Sequence, residues 1–108
     1  MLPPVGLKAV VLSATTIVLT WSDTTLGHNQ WVTDNRVYTV RYAPTVGGRE
    51  NPQSRKMKMM NSTSLNLHID DLKPDTEYEF SVRIVKGRRQ SPWSLSVLNR
   101  TKEMGTCV

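Results

Sequence analysis

The stretch Asp70-Asp71-Leu72-Lys73-Pro74-Asp75-Thr76-Glu77-Tyr78-Glu79-Phe80-Ser81-Val82-Arg83-Ile84 carries two signals in one run. Its first half, DDLKPD, is a turn: acidic residues and a proline interrupt any regular pairing. Its second half alternates strictly. Tyr78, Phe80, Val82 and Ile84 stand on one side, and Glu79, Ser81 and Arg83 on the other. Such alternation belongs to a strand with one dry and one wet face.

The same period of two recurs outward in both directions. Ile17, Leu19 and Trp21 alternate with Val18 and Thr20; Tyr38, Val40 and Tyr42 with Thr39 and Arg41; Leu65, Leu67 and Ile69 with Asn66 and His68. Three weaker runs complete the set. Val5 to Ser13 follows Pro3-Pro4, which suits a strand entry at a sheet edge. Lys56-Met57-Lys58-Met59 alternates with its methionines inward, and Leu95 to Thr101 closes the chain. No stretch keeps a helical period. Seven short strands separated by TTLGHNQ, VGGREN, DDLKPD and KGRRQSP predict an all-β, seven-stranded antiparallel Greek-key sandwich of two sheets.

At 108 residues, with 38% hydrophobic and 21% charged residues, the chain has the size and balance of one globular domain. The domain is expected over residues 3–102, with 103–108 as a disordered tail. Cys107, the single cysteine, lies in that tail and forms no internal disulfide. No apolar run exceeds Ala9 to Leu12, too short to cross a bilayer. The sequence has no secretory signal, as a module cut from a longer secreted chain would also lack one. Asn61-Ser62-Thr63 and Asn99-Arg100-Thr101 match the N-glycosylation acceptor pattern, so Asn61 and Asn99 are candidate modified residues.

Catalytic and metal chemistry find no support. His28 and His68 belong to no ligand spacing. Asp70-Asp71 read as a cap on the turn rather than an acid/base pair. No serine has a nucleophile-elbow context, and Gly47-Gly48 lacks the phosphate-loop pattern. No enzyme, no metal and no cofactor are expected.

The charge is more informative. The net charge is +5, yet five acids crowd into Asp70 to Glu79, while Lys86-Gly87-Arg88-Arg89 lies in a span from Phe80 to Lys102 with no acid at all. Arg41, Lys56, Lys58 and Arg83 have the wet-face parity on their strands. Neighbouring strands lie about 5 Å apart, inside a Debye length of about 8–10 Å, so such cations repel one another unless a counter-ion intervenes. Single surface charges mostly solvate a fold and are worth about 0–1 kcal/mol. Arg83, Lys86, Arg88 and Arg89 together point instead to a negative ligand, because the arginine fork matches sulfate or carboxylate bidentately. Trp93 either caps the core or stacks under Arg41 and Arg83; if it stacks, the binding set contracts to Lys86, Arg88 and Arg89. Val5 and Leu95 suggest a small apolar patch beside the cations. Trp31 is expected to fold over the sheet edge. Nucleic acid is not an expected partner, since the basic face lacks interleaved aromatics.

The pattern Leu72-x-Pro74-x-Thr76-x-Tyr78, with Trp21 and Tyr38-x-Val40-x-Tyr42, resembles the fibronectin type III domain, whose tyrosine corner it matches. The resemblance implies that the Tyr78 hydroxyl bonds back to the upstream backbone, with Trp21, Leu72 and Pro74 as structural companions. More narrowly, Pro3-Pro4-Val5-Gly6, Trp21-Ser22-Asp23, Asn29-Gln30, Tyr38-Thr39-Val40-Arg41, Tyr78-Glu79-Phe80-Ser81-Val82 and Lys86-Gly87-Arg88-Arg89 with Trp93-Ser94 look like the fifth, membrane-proximal type III domain of the DCC/neogenin/Frazzled netrin receptors. That implies an ectodomain piece of a single-pass axon-guidance receptor, on the extracellular side of the plasma membrane. Its partners would be a secreted guidance protein (a netrin, or a repulsive guidance molecule) and heparan sulfate or another sulfated glycan. An integrin role of the Arg-Gly-Asp kind is disfavoured, because Gly87-Arg88 is followed by Arg89-Gln90 and supplies no carboxylate. Two alternatives remain: a cytokine-receptor-like domain, half-suggested by Ser91-Pro92-Trp93-Ser94, and an adhesion or matrix spacer without its own ligand.

Overall fold

A computed structural model describes residues 2–26, 35–45 and 57–103. The expectations for His28, Asn29-Gln30, Trp31, Gly47-Gly48, Lys56, Cys107 and most of the tail fall outside these residues. The strands are β1 (Val5–Val11), β2 (Ile17–Ser22), β3 (Val37–Pro44), β4 (Lys58–Ser62), β5 (Asn66–Ile69), β6 (Glu77–Lys86), β7 (Arg89–Gln90) and β8 (Val97–Arg100). All pairings are antiparallel. One sheet runs β1-β2-β5; the other runs β4-β3-β6-β7, with β8 also on β6.

The alternation read from the sequence makes the core. Ile17, Leu19, Trp21 and Ile69 from the first sheet meet Tyr38, Val40, Tyr42, Tyr78, Phe80, Val82 and Ile84 from the second, all buried. Trp21 packs on Tyr38 with ring centroids 5.6 Å apart, and Tyr42 stacks on Phe80 at 6.1 Å. Such ring pairs add about 0.5–1.5 kcal/mol each beyond the area they bury.

The turn that opened the reading is a lock. The Lys73 backbone N–H donates to the Tyr78 hydroxyl at 2.8 Å, over a buried Leu72. Thr101, at the end of the last strand, donates through its hydroxyl to the Lys73 carbonyl at 2.6 Å and accepts from the Thr76 N–H at 3.0 Å. Asp71 and Asp75 both take positive φ, 58° and 49°, a region that aspartate tolerates better than most residues. The Asp70 carboxylate accepts from Thr16 at 3.1 Å, fastening the turn to the β1–β2 hairpin.

The structure corrects three strand expectations. The last strand, β8, is shorter than the expected Leu95 to Thr101, and the expected turn KGRRQSP holds a strand of its own: β7 and β8 both pair with β6, and Ser91 to Ser96 between them leaves the ladder. Pro92 offers no N–H, and two serines replace the missing rungs. Ser91 N–H donates to the Ile84 carbonyl and its hydroxyl accepts from the Ile84 N–H, both at 2.8 Å. Ser94 does the same with Val82, at 2.8 and 3.0 Å.

The basic loop is likewise shorter than expected. Lys86 pairs directly with Arg89, so only Gly87 and Arg88 form the turn. Gly87 has φ 60°, and no other group lies near enough to object to a side chain. Backbone conformation, not space, therefore calls for glycine at the first turn position, as a two-residue hairpin of this kind requires.

The methionine parity also reverses. Met60 lies opposite Val40 and packs on the core, while Met59 lies opposite Arg41 and is 59% exposed. In the tandem Met59-Met60 a slip of one residue exchanges the faces, and pairing with β3 decides between them.

Candidate functional site

The strand register divides the expected basic face in two. Arg41 and Arg83 lie on the outer face of the five-stranded sheet, where Arg41 is opposite Ser81 and Arg83 is opposite Thr39. Their guanidinium carbons sit 4.2 and 4.5 Å from the centroid of Trp93. Arg41 Nε also donates to the Ser81 hydroxyl at 2.8 Å. The bracing serines Ser91 and Ser94 hold Trp93 on this face, so the stack is part of the fold. Arg83 Nε is buried without a hydrogen-bond partner among the described residues.

Lys58 does not join them. It lies opposite Tyr42 and so has core-face parity, exposed only because it begins an edge strand. Assigning it to the wet face assumed the same reversed parity as for Met59. The notion of one continuous cationic face is therefore corrected: the cations occupy two separate regions.

The second region is the pole at the β6–β7 hairpin. Lys86 and Arg89 face each other there, and Arg88 stands at the tip, all exposed. Arg88 and Arg89 have no carboxylate partner among the described residues. Lys86, Arg89 and Gln90 line a cleft of about 540 Å³ whose other walls, among the described residues, are Thr25 and Arg36.

Sequence reasoning missed this inner wall. Asp23 is fully buried and gathers four donors from the described residues. Its carboxylate accepts from Arg36 at 2.7 Å, from the Tyr38 hydroxyl at 2.8 Å, from the Thr25 N–H at 2.9 Å and from the Thr25 hydroxyl. Burial alone would raise the Asp23 carboxyl, but the bonds from Thr25, Tyr38 and Arg36 together hold it below the usual carboxylate range. Burial first, and the Asp23 carboxylate second, push the Tyr38 hydroxyl well up, so it stays a donor. The local signal was Asp23-Thr24-Thr25 directly after a strand, which caps a short 3-10 turn over Thr24–Leu26. Its pairing with Arg36, 13 residues away, has no local sign.

A third feature is an apolar groove of about 380 Å³ between the start of β1 and the Leu95–Val97 segment. Val5, 47% exposed, and Leu95, 90% exposed, line the same groove. Gly6, with φ 65°, lines the groove and lies within the irregularity of β1 between Val5 and Lys8.

The two acceptor asparagines differ in setting. Asn61 is exposed on edge strand β4, and its Oδ1 accepts from the Thr39 hydroxyl at 3.0 Å. Asn99 is half-buried on β8; its Nδ2 donates to the Ala9 carbonyl at 2.7 Å, tying β8 to β1.

Two antiparallel sheets packed face to face and locked by a tyrosine corner define a class of domain. The family description "Fibronectin type III domain" matches residues 2–99, and the chain belongs to that family. It is 44% identical over 104 residues to neogenin of Rattus norvegicus and of Homo sapiens, and 41% identical over 103 residues to the netrin receptor DCC of Rattus norvegicus. These alignments cover 96% and 95% of this chain, but the chain spans only 7% of the length of each relative. Among solved structures, the third fibronectin III domain of human KIAA0343 protein superposes with a TM-score of 0.76 at 21% identity, covering 99% of this chain and 90% of that one. Titin domains A168-A170 give 0.71 at 20% identity, over 94% of this chain and 32% of theirs. The family is not an enzymatic one, in agreement with the sequence reading.

Proposed function

We propose that this domain is an extracellular ligand-binding module of a single-pass netrin receptor in axon guidance, and that the hairpin pole is its anion-binding site. The identity to neogenin and the netrin receptor DCC supports the receptor class and its secreted protein partner. The observation that carries the site is the convergence of Arg36, Lys86 and Arg89 on one cleft, with Arg88 exposed in the hairpin turn between the last two and no acid from Phe80 to Lys102. Arg36 is held by Asp23 and serves as a rigid wall. Lys86, Arg88 and Arg89 supply the exposed charge. Sulfate groups of a glycosaminoglycan, or an anion shared with a basic guidance protein, match these donors bidentately. The apolar groove with Val5 and Leu95 gives the protein partner a dry contact beside the charged one.

Arg41 and Arg83 have a smaller part in this reading. Stacked on Trp93, they brace the outer face, each such contact contributing about 0.5–1 kcal/mol when exposed. That stack is the one observation favouring the cytokine-receptor-like alternative; the 44% identity to neogenin weighs against it.

The test is binding of a purified netrin to the immobilised domain. The wild type is expected to bind, and the triple variant Lys86→Ala, Arg88→Ala, Arg89→Ala to bind much more weakly, mainly through slower association. Undiminished binding by a folded triple variant overturns the site.

A further inference from the structure

Two asparagines share one acceptor pattern, but the fold treats them in opposite ways. We infer that Asn61 carries an N-linked glycan, that Asn99 does not, and that this glycan covers the outer face of the five-stranded sheet while leaving the hairpin pole open. The inference rests on the extracellular reading above, because the sugar donor is met only along the secretory route.

In the transfer, the side-chain nitrogen of asparagine bonds to the anomeric carbon of a lipid-pyrophosphate-linked oligosaccharide. The bond from that carbon to the pyrophosphate oxygen breaks, the lipid pyrophosphate leaves, and the nitrogen loses one proton. The modified nitrogen must afterwards have room in the folded domain. Asn61 provides it. β4 is the free edge of its sheet, the side chain has the outward parity of Met59 two residues earlier, and both are exposed. Only Oδ1 is engaged, by Thr39; Nδ2 has no hydrogen-bond partner among the described residues. Thr63, the hydroxyl residue of the pattern, is exposed in the bend that follows.

Asn99 is closed on every count. Its nitrogen lies against the Ala9 carbonyl in the β1–β8 seam, and its oxygen accepts from the Arg100 N–H at 2.8 Å. The hydroxyl residue of its pattern, Thr101, is 3% exposed and bonded into the tyrosine corner. A sugar at Asn99 would therefore have to open the seam that joins the two sheets.

The register also says what a glycan on Asn61 shields. Asn61 lies opposite Thr39, and Thr39 lies opposite Arg83. Two strand spacings of about 4.8 Å separate Asn61 from the Trp93 stack. The first sugars thus lie over Met59, Arg41 and Arg83, and partner binding is directed to the pole.

The test is secretion of the whole chain from mammalian cells behind a cleavable signal, then glycan removal by an amidase in heavy-oxygen water and peptide mass mapping. The heavy Asp mark is expected at 61 and not at 99, and Asn61→Gln, an exposed change, should abolish the gel shift. A mark at 99, or no mark at 61 in folded secreted protein, overturns the assignment. Either result leaves the netrin-binding test standing, so the two readings fail separately. For the shielding, hydrogen peroxide should oxidise Met59 more slowly in the glycosylated protein than after glycan removal, since methionine oxidation follows exposure. Equal rates refute the covering.

Discussion

Replacing Asp23 by asparagine removes one negative charge from the best-connected buried polar group of the described residues. Arg36, 7% exposed, then keeps its charge and loses its carboxylate, while Tyr38 keeps a hydroxyl with a weaker acceptor. Breaking a buried pair from one side costs about 3–5 kcal/mol, because the remaining charge stays out of water with less compensation than before. For a chain of this size, with a urea dependence of about 1–3 kcal/mol per molar, the unfolding midpoint should fall by roughly 2 M. Adding Arg36→Met removes the less compensated charge and should restore part of the loss, with a coupling of about 1–3 kcal/mol. The pH dependence follows from the depressed Asp23 carboxyl. Its contribution is intact above the usual carboxylate range and disappears as pH falls through the lower folded value. The wild type should therefore lose stability at the acid end, and Asp23→Asn should lack that part of the loss. A midpoint shift below about 0.5 M in urea, or a double variant no better than the single one, would refute the claim that this network holds the cleft wall.

Three further outcomes test the fold around the site. Tyr78→Phe leaves the Lys73 N–H without its acceptor and should cost about 1–3 kcal/mol in urea unfolding. Met60→Ala should cost roughly 1–2 kcal/mol, near half the range for a fully buried methionine, whereas Met59→Ala should stay within about 0.5 kcal/mol of the wild type; equal effects would contradict the β3–β4 register. Trp93→Ala should lower stability by about 1–2 kcal/mol through the two arginine contacts while leaving netrin binding close to that of the wild type.

The sandwich was legible because its signals are local. Tyr78, Phe80, Val82 and Ile84 alternate within a single strand, and the turn before them carries its own proline and aspartates. The stacking of Arg41 and Arg83 on Trp93 could be anticipated as one of two readings, since parity puts both arginines on one face and Trp93-Ser94 follows the strand that carries Arg83. What failed depends on pairing between distant segments. Met59 and Met60 are chemically alike, and only β3 decides which enters the core. The gap between β7 and β8 is concealed because Ser91 and Ser94 supply ladder-like bonds through their hydroxyls, which no periodicity records. Lys86, Arg88 and Arg89 were found as a charge run, but the two-residue hairpin that sets Arg89 opposite Lys86 follows from Gly87 at positive φ. The inner wall was hidden most completely, for nothing near Asp23 announces Arg36.

Which cations meet an anion decides where the site lies, and heparin affinity chromatography of three folded proteins asks this directly. The wild type should elute well above physiological salt, Arg88→Ala with Arg89→Ala much earlier, and Arg41→Gln with Arg83→Gln close to the wild type. Co-elution of the pole variant with the wild type, with the early shift found instead in the outer-face variant, would contradict the account.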